Sequence, residues 1–106
     1  MCEILKPDLL LAILLRNKDK AEVTFKELRE LRDRIQENNP SIVVDVSIPS
    51  IRWALYYYPD LFHQDGYRIL RTEKASSLLE GEYFDRVFRT SLSDASFRLL
   101  ENAVGA

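Results

Sequence analysis

The sequence contains little of the chemistry that catalysis and metal binding require. One cysteine and one histidine among 106 residues cannot supply a His/Cys zinc cluster, and the H-E-x-x-H pattern does not occur. Gly66, Gly81 and Gly105 are too scattered to form a loop that holds phosphate. Carboxylates recur mainly on charged helix faces beside Lys or Arg. We therefore expect no metal, no cofactor and no enzymatic activity.

The two rare side chains have simple interpretations. Cys2 has no second cysteine with which to form an internal disulfide, and its place beside the amino terminus indicates a frayed thiol rather than a reactive one. His63 could act as an acid or a base. Because it lies in an apolar segment next to a turn, we interpret it as a surface or structural residue.

Long apolar runs and a leader sequence are also lacking. The longest apolar run, Leu9 to Leu15, is far shorter than the roughly 20 residues that cross a bilayer. The start, Met1-Cys2-Glu3, has neither the basic region nor the small-residue cleavage site of a secretory signal. With 46% hydrophobic and 30% charged residues, the chain has the composition of a globular protein. We expect one cytoplasmic domain over residues 1–106.

There is no excess of positive charge. Residues 1–74 contain equal numbers of basic and acidic side chains, so the net charge of −2 arises entirely in residues 75–106. A protein that binds duplex DNA normally has a basic face, because phosphate neutralisation supplies most non-specific affinity. Folding could still assemble such a face, but the composition does not indicate one.

Two helices are indicated in the first third of the chain. Lys6-Pro7-Asp8 is typical of a helix start, and the residues that follow are apolar nearly all round, which predicts a central core helix rather than an oligomer face. Thr24 and Glu27 have the spacing of a capping box. They open an amphipathic helix that ends near Asn38-Asn39-Pro40. Its mixed-charge face is expected to be solvated, with phosphate contact as the alternative.

A third helix carries an unusual set of aromatic residues. Ile42 to Val46 are mostly β-branched and predict a short buried strand, after which Ser47 is a plausible N-cap of a helix that runs to about Tyr58. The outward side of this helix would carry Trp53, Tyr56 and Tyr57. Exposed rings of this size indicate a contact surface, although each ring alone could simply cover the core.

A β-hairpin follows the third helix. Leu61 to Gln64 and Tyr67 to Arg71 form two short extended segments, and Asp65-Gly66 stands between them. Asp-Gly readily supplies the two positive φ angles of a type I′ turn. We therefore predict a hairpin whose central turn residues are Asp65 and Gly66.

The helix from Thr24, the helix from Ser47 and the hairpin at Asp65-Gly66 together resemble a winged helix-turn-helix protein. The resemblance covers about half the chain. It implies a mainly α fold with a small hairpin, in which the second of these helices enters the major groove and the hairpin, or wing, meets the neighbouring backbone. By position, the DNA-contacting residues that the resemblance implies are Ser47, Ser50, Arg52, Trp53, Arg68 and Arg71.

The remaining chain is predicted to be helical. Ser76 or Ser77 would cap one segment, which Gly81 interrupts or ends, and Ser91 with Asp94 would open a last helix. The winged-helix body would span about 8–72 and this extension 75–104. Its apolar residues either close the core or form a homodimer interface through residues 78–104. Dimerisation is slightly favoured, because added helices often serve this purpose in the family that the chain resembles.

Two functions remain open from the sequence. The first is a small winged-helix transcriptional regulator that binds duplex DNA as a dimer. The second is a protein–protein interaction module on the same scaffold, in which Trp53, Tyr56 and Tyr57 anchor a partner protein. The order of elements favours the first, and the balanced charge of residues 1–74 favours the second.

Overall fold

The chain is mainly α-helical, with a small antiparallel sheet. The computed structural model describes residues 3–17 and 19–105, and Cys2 lies outside them. The helices are α1 (Pro7–Leu15), α2 (Phe25–Asn38), α3 (Ile48–Tyr57), α4 (Glu73–Glu80), α5 (Glu82–Val87) and α6 (Asp94–Gly105), with a 3-10 turn at Arg89–Ser91. The strands are β1 (Glu3–Leu5), β2 (Glu22–Thr24), β3 (Ile42–Val44), β4 (Phe62–Asp65) and β5 (Arg68–Arg71). None of the described helices is long and apolar enough to cross a membrane.

Helix α1 forms the centre of the core, as its sequence predicts. Eight of its nine residues are buried, and only Asp8 in the first turn is partly exposed. Helices α2, α3 and α6 all pack against it. A helix that is apolar on every side must be surrounded by other elements, because each of its faces is stable only when a neighbour removes it from water.

Helix α2 begins with the predicted capping box. The N–H of Glu27 donates to the Thr24 hydroxyl, and the carboxylate of Glu27 accepts from the N–H of Thr24. Lys20 also pairs with this carboxylate at 2.5 Å. Leu28, Leu31 and Ile35 form the buried side of the helix, which ends at Asn38 as predicted.

The hairpin belongs to a three-stranded antiparallel sheet with the order β2-β5-β4. Strand β5 lies in the centre of the sheet. Its Ile69 pairs with Val23 of β2, and both side chains are fully buried in the core. Strand β2 lies more than forty residues before β5 along the chain and was not predicted from the sequence. Its three residues are too few to show a recognisable period.

The predicted turn residues, Asp65 and Gly66, are wrong by one position, and the predicted turn type is wrong as a result. Asp65 pairs with Arg68 in the ladder, so the central turn residues are Gly66 and Tyr67. Gly66 has φ of +62°, and no described residue other than glycine has a positive φ. A two-residue turn with a positive φ at its first position only is the type II′ pattern, which places Gly at that position. Asp65 therefore remains in an extended strand.

The predicted buried strand at Ile42 to Val46 is shorter and less buried than expected. Strand β3 covers Ile42–Val44 and pairs in parallel with β1, which the sequence did not reveal. Val43 is exposed, whereas Val44 is buried. The pair of strands therefore covers the core with one side only, and alternate residues face solvent.

The carboxyl-terminal helices close the core, although two predicted caps are wrong. Helix α4 begins after Thr72, whose hydroxyl accepts from the N–H of Ala75, and not at Ser76 or Ser77. Helix α6 begins at Asp94, directly after Ser93, whose hydroxyl accepts the N–H of Ser96, and not after Ser91 as predicted. The segment Arg89–Ser91 is taken up by the 3-10 turn, which moves the cap onward.

Much of the apolar surface of this carboxyl-terminal extension is buried in the core of the chain itself. The buried apolar members are Ala75, Leu79, Phe84, Phe88 and Leu100. Gly81 separates α4 from α5, as the sequence indicates. A homodimer through residues 78–104 stays a prediction, but these buried side chains do not require one.

Candidate functional site

Helix α3 has one buried side and one aromatic side. Ile51 and Ala54 are buried against α1, three residues apart on one face. Trp53, Tyr56 and Tyr57 follow the same three- and four-residue spacing on the opposite face. The three rings are 58%, 74% and 65% exposed. The helical period therefore turns the largest side chains of α3 towards solvent.

The three exposed rings contact one another. Trp53 stacks on Tyr57 with ring centroids 5.3 Å apart and an angle of 21° between the planes. Tyr56 meets both rings edge to face, at 5.9 Å from Trp53 and 5.6 Å from Tyr57. These are favourable arrangements for aromatic pairs. We refer to Trp53, Tyr56 and Tyr57 as the ring surface.

An open groove of about 770 Å³ extends along the ring surface. Pro49, one turn before Trp53, adds an apolar wall, and Arg52 places a guanidinium at the edge. The sequence had not indicated Pro49 as a site residue, although its spacing to Trp53 is the signal that could have done so. The groove combines apolar area with indole N–H, hydroxyl and guanidinium groups, which is the composition of a protein-binding surface.

The start of α3 is held by a hydrogen-bonded network around Asp45. The Ser47 hydroxyl donates to the Ser50 hydroxyl at 2.9 Å, and the Ser50 hydroxyl donates to Asp45 at 2.6 Å. The N–H of Ser47 also donates to Asp45, at 3.2 Å. The hydrogen bond from Ser50 holds the pKa of Asp45 below its ordinary value. Ser47 and Ser50 are thus occupied in capping α3.

The two arginines of the hairpin bind groups within the protein. Arg68 donates to Glu22 at 3.1 Å and to Asp65 at 2.8 Å, so its charge is balanced by two carboxylates. Arg71 donates to the carbonyl oxygens of Leu15 and Asn17 at 3.1 and 3.2 Å. It therefore satisfies the end of α1, where carbonyls have no helical partner.

Two basic residues of helix α2 are paired with carboxylates of the same helix. Lys26 lies beside Glu30 at 3.9 Å on the exposed face of α2. Arg32 pairs with Asp33 at 3.1 Å on the same helix. Arg52 is the single basic residue of α3. The positive charge near the predicted contacts on α3 is therefore that of Arg52, whereas these two charges of α2 are balanced locally.

A second cavity, of about 530 Å³, lies between the start of α1 and the inner edge of the ring surface. Trp53, Tyr57 and Tyr58 supply aromatic walls, while Asp8 and Asp45 supply carboxylates and Lys6 an ammonium group. We refer to it as the α1–α3 cavity. Burial raises the pKa of Asp8, against the opposing effects of the N–H of Leu9 and of Lys6.

Tyr58 links this cavity to the core. Its ring packs on Phe88 at 5.3 Å and on Phe62 at 6.3 Å. Burial and the nearby charge of Asp8 raise the pKa of its hydroxyl. The sequence had indicated Tyr58 as the approximate end of α3. It had indicated Asp8 and Asp45 only as parts of a helix start and of a strand, because a cavity between two helices has no local signal.

The structure thus separates the predicted site residues into two groups. Arg52, Trp53, Tyr56 and Tyr57 lie together on the solvent side of α3. Ser47, Ser50, Arg68 and Arg71 make internal hydrogen bonds. Among residues 3–17 and 19–105, no group of His, Cys, Asp and Glu is placed to hold a metal ion. Comparison with protein-family models, curated proteins and solved structures found no match to this chain.

Proposed function

We propose that this chain is a protein-interaction module on a winged-helix scaffold, whose ring surface binds an apolar segment of a partner protein. The observation that carries the proposal is the set of three exposed, mutually packed rings on the side of α3 opposite its buried residues. Their removal from water on binding would supply the affinity.

The order of elements supports the scaffold. Helix α2, helix α3 and the hairpin β4–β5 follow one another in the order that the winged-helix resemblance implies, with strand β3 between the two helices. Strand β2 joins the hairpin on the β5 side to complete a three-stranded sheet. On such a scaffold α3 is the recognition helix, and its outward side carries the ring surface.

The geometry of the rings supports a protein partner. Trp and Tyr are enriched among the residues that dominate binding energy at protein interfaces, because they are large, rigid and carry one polar atom. The stacked Trp53 and Tyr57 are held by Tyr56, which limits their rotamers before binding. Less side-chain entropy is then lost in the complex. Arg52 at the groove edge adds a polar contact at the rim.

The charges on the hairpin support a protein partner over duplex DNA. A wing that contacts phosphate needs a positive charge available to the ligand. Arg68 is already balanced by Glu22 and Asp65, and Arg71 is bound to carbonyl oxygens of α1 and the loop after it. Binding phosphate would require these contacts to be broken or shared.

The DNA-binding regulator remains a second candidate. It is favoured by the placement of an exposed Arg52 in the first half of α3, next along the chain to a β-hairpin. In this case Arg52 would contact a base edge or a phosphate, and Trp53 would pack on the sugar backbone. The same protein preparation can test both candidates.

The test is selection of a random-peptide display library against the folded chain, followed by affinity measurement on the selected peptides. We expect peptides rich in apolar side chains, whose affinity falls at least about 30-fold with Trp53→Ala. Arg68→Ala should leave the affinity unchanged. Pooled random-sequence duplexes at low salt form the second arm, read by fluorescence anisotropy.

Three results would contradict the proposal. The first is the selection of no peptide whose binding depends on Trp53. The second is salt-dependent binding of the duplexes that Arg52→Ala abolishes, which would establish the DNA candidate. The third is a dimer in sedimentation analysis that Trp53→Ala dissociates, because the ring surface would then bind a second copy of the chain.

A further inference from the structure

The α1–α3 cavity opens beside the ring surface, so a segment bound there reaches both. Trp53 and Tyr57 line the cavity on one side and the open groove on the other. The volume of about 530 Å³ lies within the range of small-ligand sites and accommodates a long side chain. A side chain that enters the cavity would pass the stacked rings before it meets the groups further in.

The aromatic walls favour a cation. Three aromatic residues line the cavity: Trp53 and Tyr57, which are exposed, and Tyr58, which is half-buried. Each ring carries partial negative charge on its face, and a lysine ammonium or an arginine guanidinium is attracted to it. Trp attracts cations most strongly, and several rings around one ammonium form the aromatic cage that recognises alkylated amines.

The carboxylates favour the same charge. Asp8 and Asp45 both line the cavity, against one ammonium group from Lys6. Asp8 is half-buried, and its carboxylate accepts the N–H of Leu9 at 2.9 Å. The hydrogen bonds to Asp45 come from Ser47 and Ser50 and are uncharged. With both carboxylates ionised, the lining has one negative charge more than positive charge, which an incoming cation would neutralise.

We propose that the α1–α3 cavity receives the cationic side chain of a lysine or arginine belonging to the partner segment that docks on the ring surface. This inference rests on the proposed function and adds the chemistry of the partner to it. The apolar part of the side chain lies along Trp53 and Tyr57, and the charged end lies between the rings and the carboxylates of Asp8 and Asp45. The partner segment is thus apolar with at least one basic residue.

The test uses model amino acids as probes. N-acetyl-lysine methylamide, its trimethyllysine counterpart and N-acetyl-arginine methylamide supply the cation, and N-acetyl-norleucine methylamide supplies the same chain length without charge. Trp53 is the only tryptophan of the chain and lines both the cavity and the open groove, so indole fluorescence and the indole N–H resonance report binding at either, and the variants below distinguish the two. We expect saturable changes with at least one of the cations, and binding of norleucine about tenfold weaker or absent.

Matched variants locate the site. Asp8→Asn and Asp45→Asn should each weaken binding of the best cation about fivefold or more, because they remove charge with little change of shape. Asp60→Asn removes an exposed carboxylate outside the cavity and should leave the binding unchanged. Tyr56 lies in the groove but not in the cavity lining, so Tyr56→Ala should weaken peptide binding more than cation binding. Denaturant unfolding verifies that every variant is folded.

Equal binding of lysine and norleucine probes, or unchanged cation affinity in both Asp8→Asn and Asp45→Asn, would overturn this inference. The proposed function fails separately. If displayed peptides bind through Trp53 but need no basic residue and the cations do not bind, only the inference is wrong. If no peptide binds through Trp53, both are wrong.

Discussion

In the sequence, helix α3 and the β4–β5 hairpin both have the residue types of a binding surface. In the structure, the two regions differ in the groups that their side chains contact. Both were predicted to face a ligand, and both carry arginine and aromatic residues. In the structure the hairpin arginines bind groups of the protein itself, whereas the rings of α3 contact chiefly one another. An arginine or an aromatic residue therefore indicates a binding surface only where it does not already make its strongest interactions within the protein. The rings of α3 meet this condition better than the charges of the hairpin.

Helix α3 and the hairpin each carry a highly exposed aromatic residue, but the surroundings of these residues differ. Tyr67 in the hairpin turn is 82% exposed, more than any ring of α3, but its nearest ring is Phe25 at 6.4 Å, edge to face. Trp53 lies in a cluster of three. Interface energy is concentrated where several rings are adjacent, because neighbours exclude water from one another. Exposure of a ring by itself is thus a weaker indicator than exposure within a cluster.

The largest expected effect is the loss of peptide affinity when the ring of Trp53 is removed, compared with removal of the exposed ring of Tyr67. Trp53→Ala should lower the affinity for selected peptides at least about 30-fold, which is about 2 kcal/mol, while Tyr67→Ala leaves it unchanged. Neither variant should change the free energy of unfolding by more than about 1 kcal/mol, because both rings are largely outside the core. Isothermal titration calorimetry and denaturant unfolding measure the two quantities. Equal losses of affinity in the two variants would remove the distinction between the regions.

The next effect separates stability from binding in the hairpin. Arg71→Met should lower the free energy of unfolding by about 1–3 kcal/mol, because the carbonyls of Leu15 and Asn17 lose their donor. Peptide affinity should not change. Urea unfolding followed by circular dichroism provides the measurement. Lys26→Met, on an exposed face of α2, is the matched control and should change stability by less than about 0.5 kcal/mol. Full stability of Arg71→Met would show that this side chain is available to a ligand.

A smaller effect tests the corrected turn. Gly66→Ala should lower the free energy of unfolding by about 1 kcal/mol or more, because an L-residue at φ of +62° is strained even though the new methyl group meets no other atom within 4 Å. Gly81→Ala is the control, since its φ of −104° is ordinary and the added carbon would lie 3.6 Å from the Ser77 carbonyl oxygen. Thermal unfolding of both variants compares them. An equal shift in both would contradict the strained turn.

The smallest effect concerns the network that begins α3. Removing the Ser50 hydroxyl in Ser50→Ala should raise the pKa of Asp45 towards its ordinary value of 3.8. A carboxyl whose folded pKa is depressed stabilises the fold above its unfolded pKa, and this stability is lost as the pH falls through the folded pKa. The variant should therefore be less stable near neutral pH and lose less stability in acid.

Carbon-13 detected NMR titration of the aspartate carboxyls follows this change directly. Ser77→Ala, which removes an exposed hydroxyl that donates to the carbonyl of Lys74, is the control and should leave the titration of Asp45 unchanged. An unaltered pKa of Asp45 in Ser50→Ala would mean that the hydroxyl does not stabilise the carboxylate, and the start of α3 would be less fixed than the structure indicates.

Much of the local structure could be predicted because its signals lie within a few residues of one another. Thr24 and Glu27 are three residues apart, and Ser47 directly precedes the helix that it caps. The outward position of Trp53, Tyr56 and Tyr57 follows from the helical period once the helix start is known. The predicted caps failed at α4, which begins after Thr72 and not at Ser76 or Ser77, and at α6, which begins after Ser93 and not at Ser91, because the choice of cap depends on how the preceding turn packs.

By itself the sequence determined the apolar α1, the capped starts of α2 and α3, the presence of a hairpin around Gly66 but not which residue begins its turn, and the side of α3 on which the rings lie. Tertiary structure alone decided the parallel pairing of β1 with β3, the addition of β2 to the hairpin, and the partners of the hairpin arginines. Arg68 and Glu22 are 46 residues apart, and Arg71 and Leu15 are 56 apart. Helical periodicity and capping residues give no information on contacts between residues so far apart in the sequence. Such contacts form only when packing around α1 brings the remote segments together. The cavity between α1 and α3 depends on the same packing.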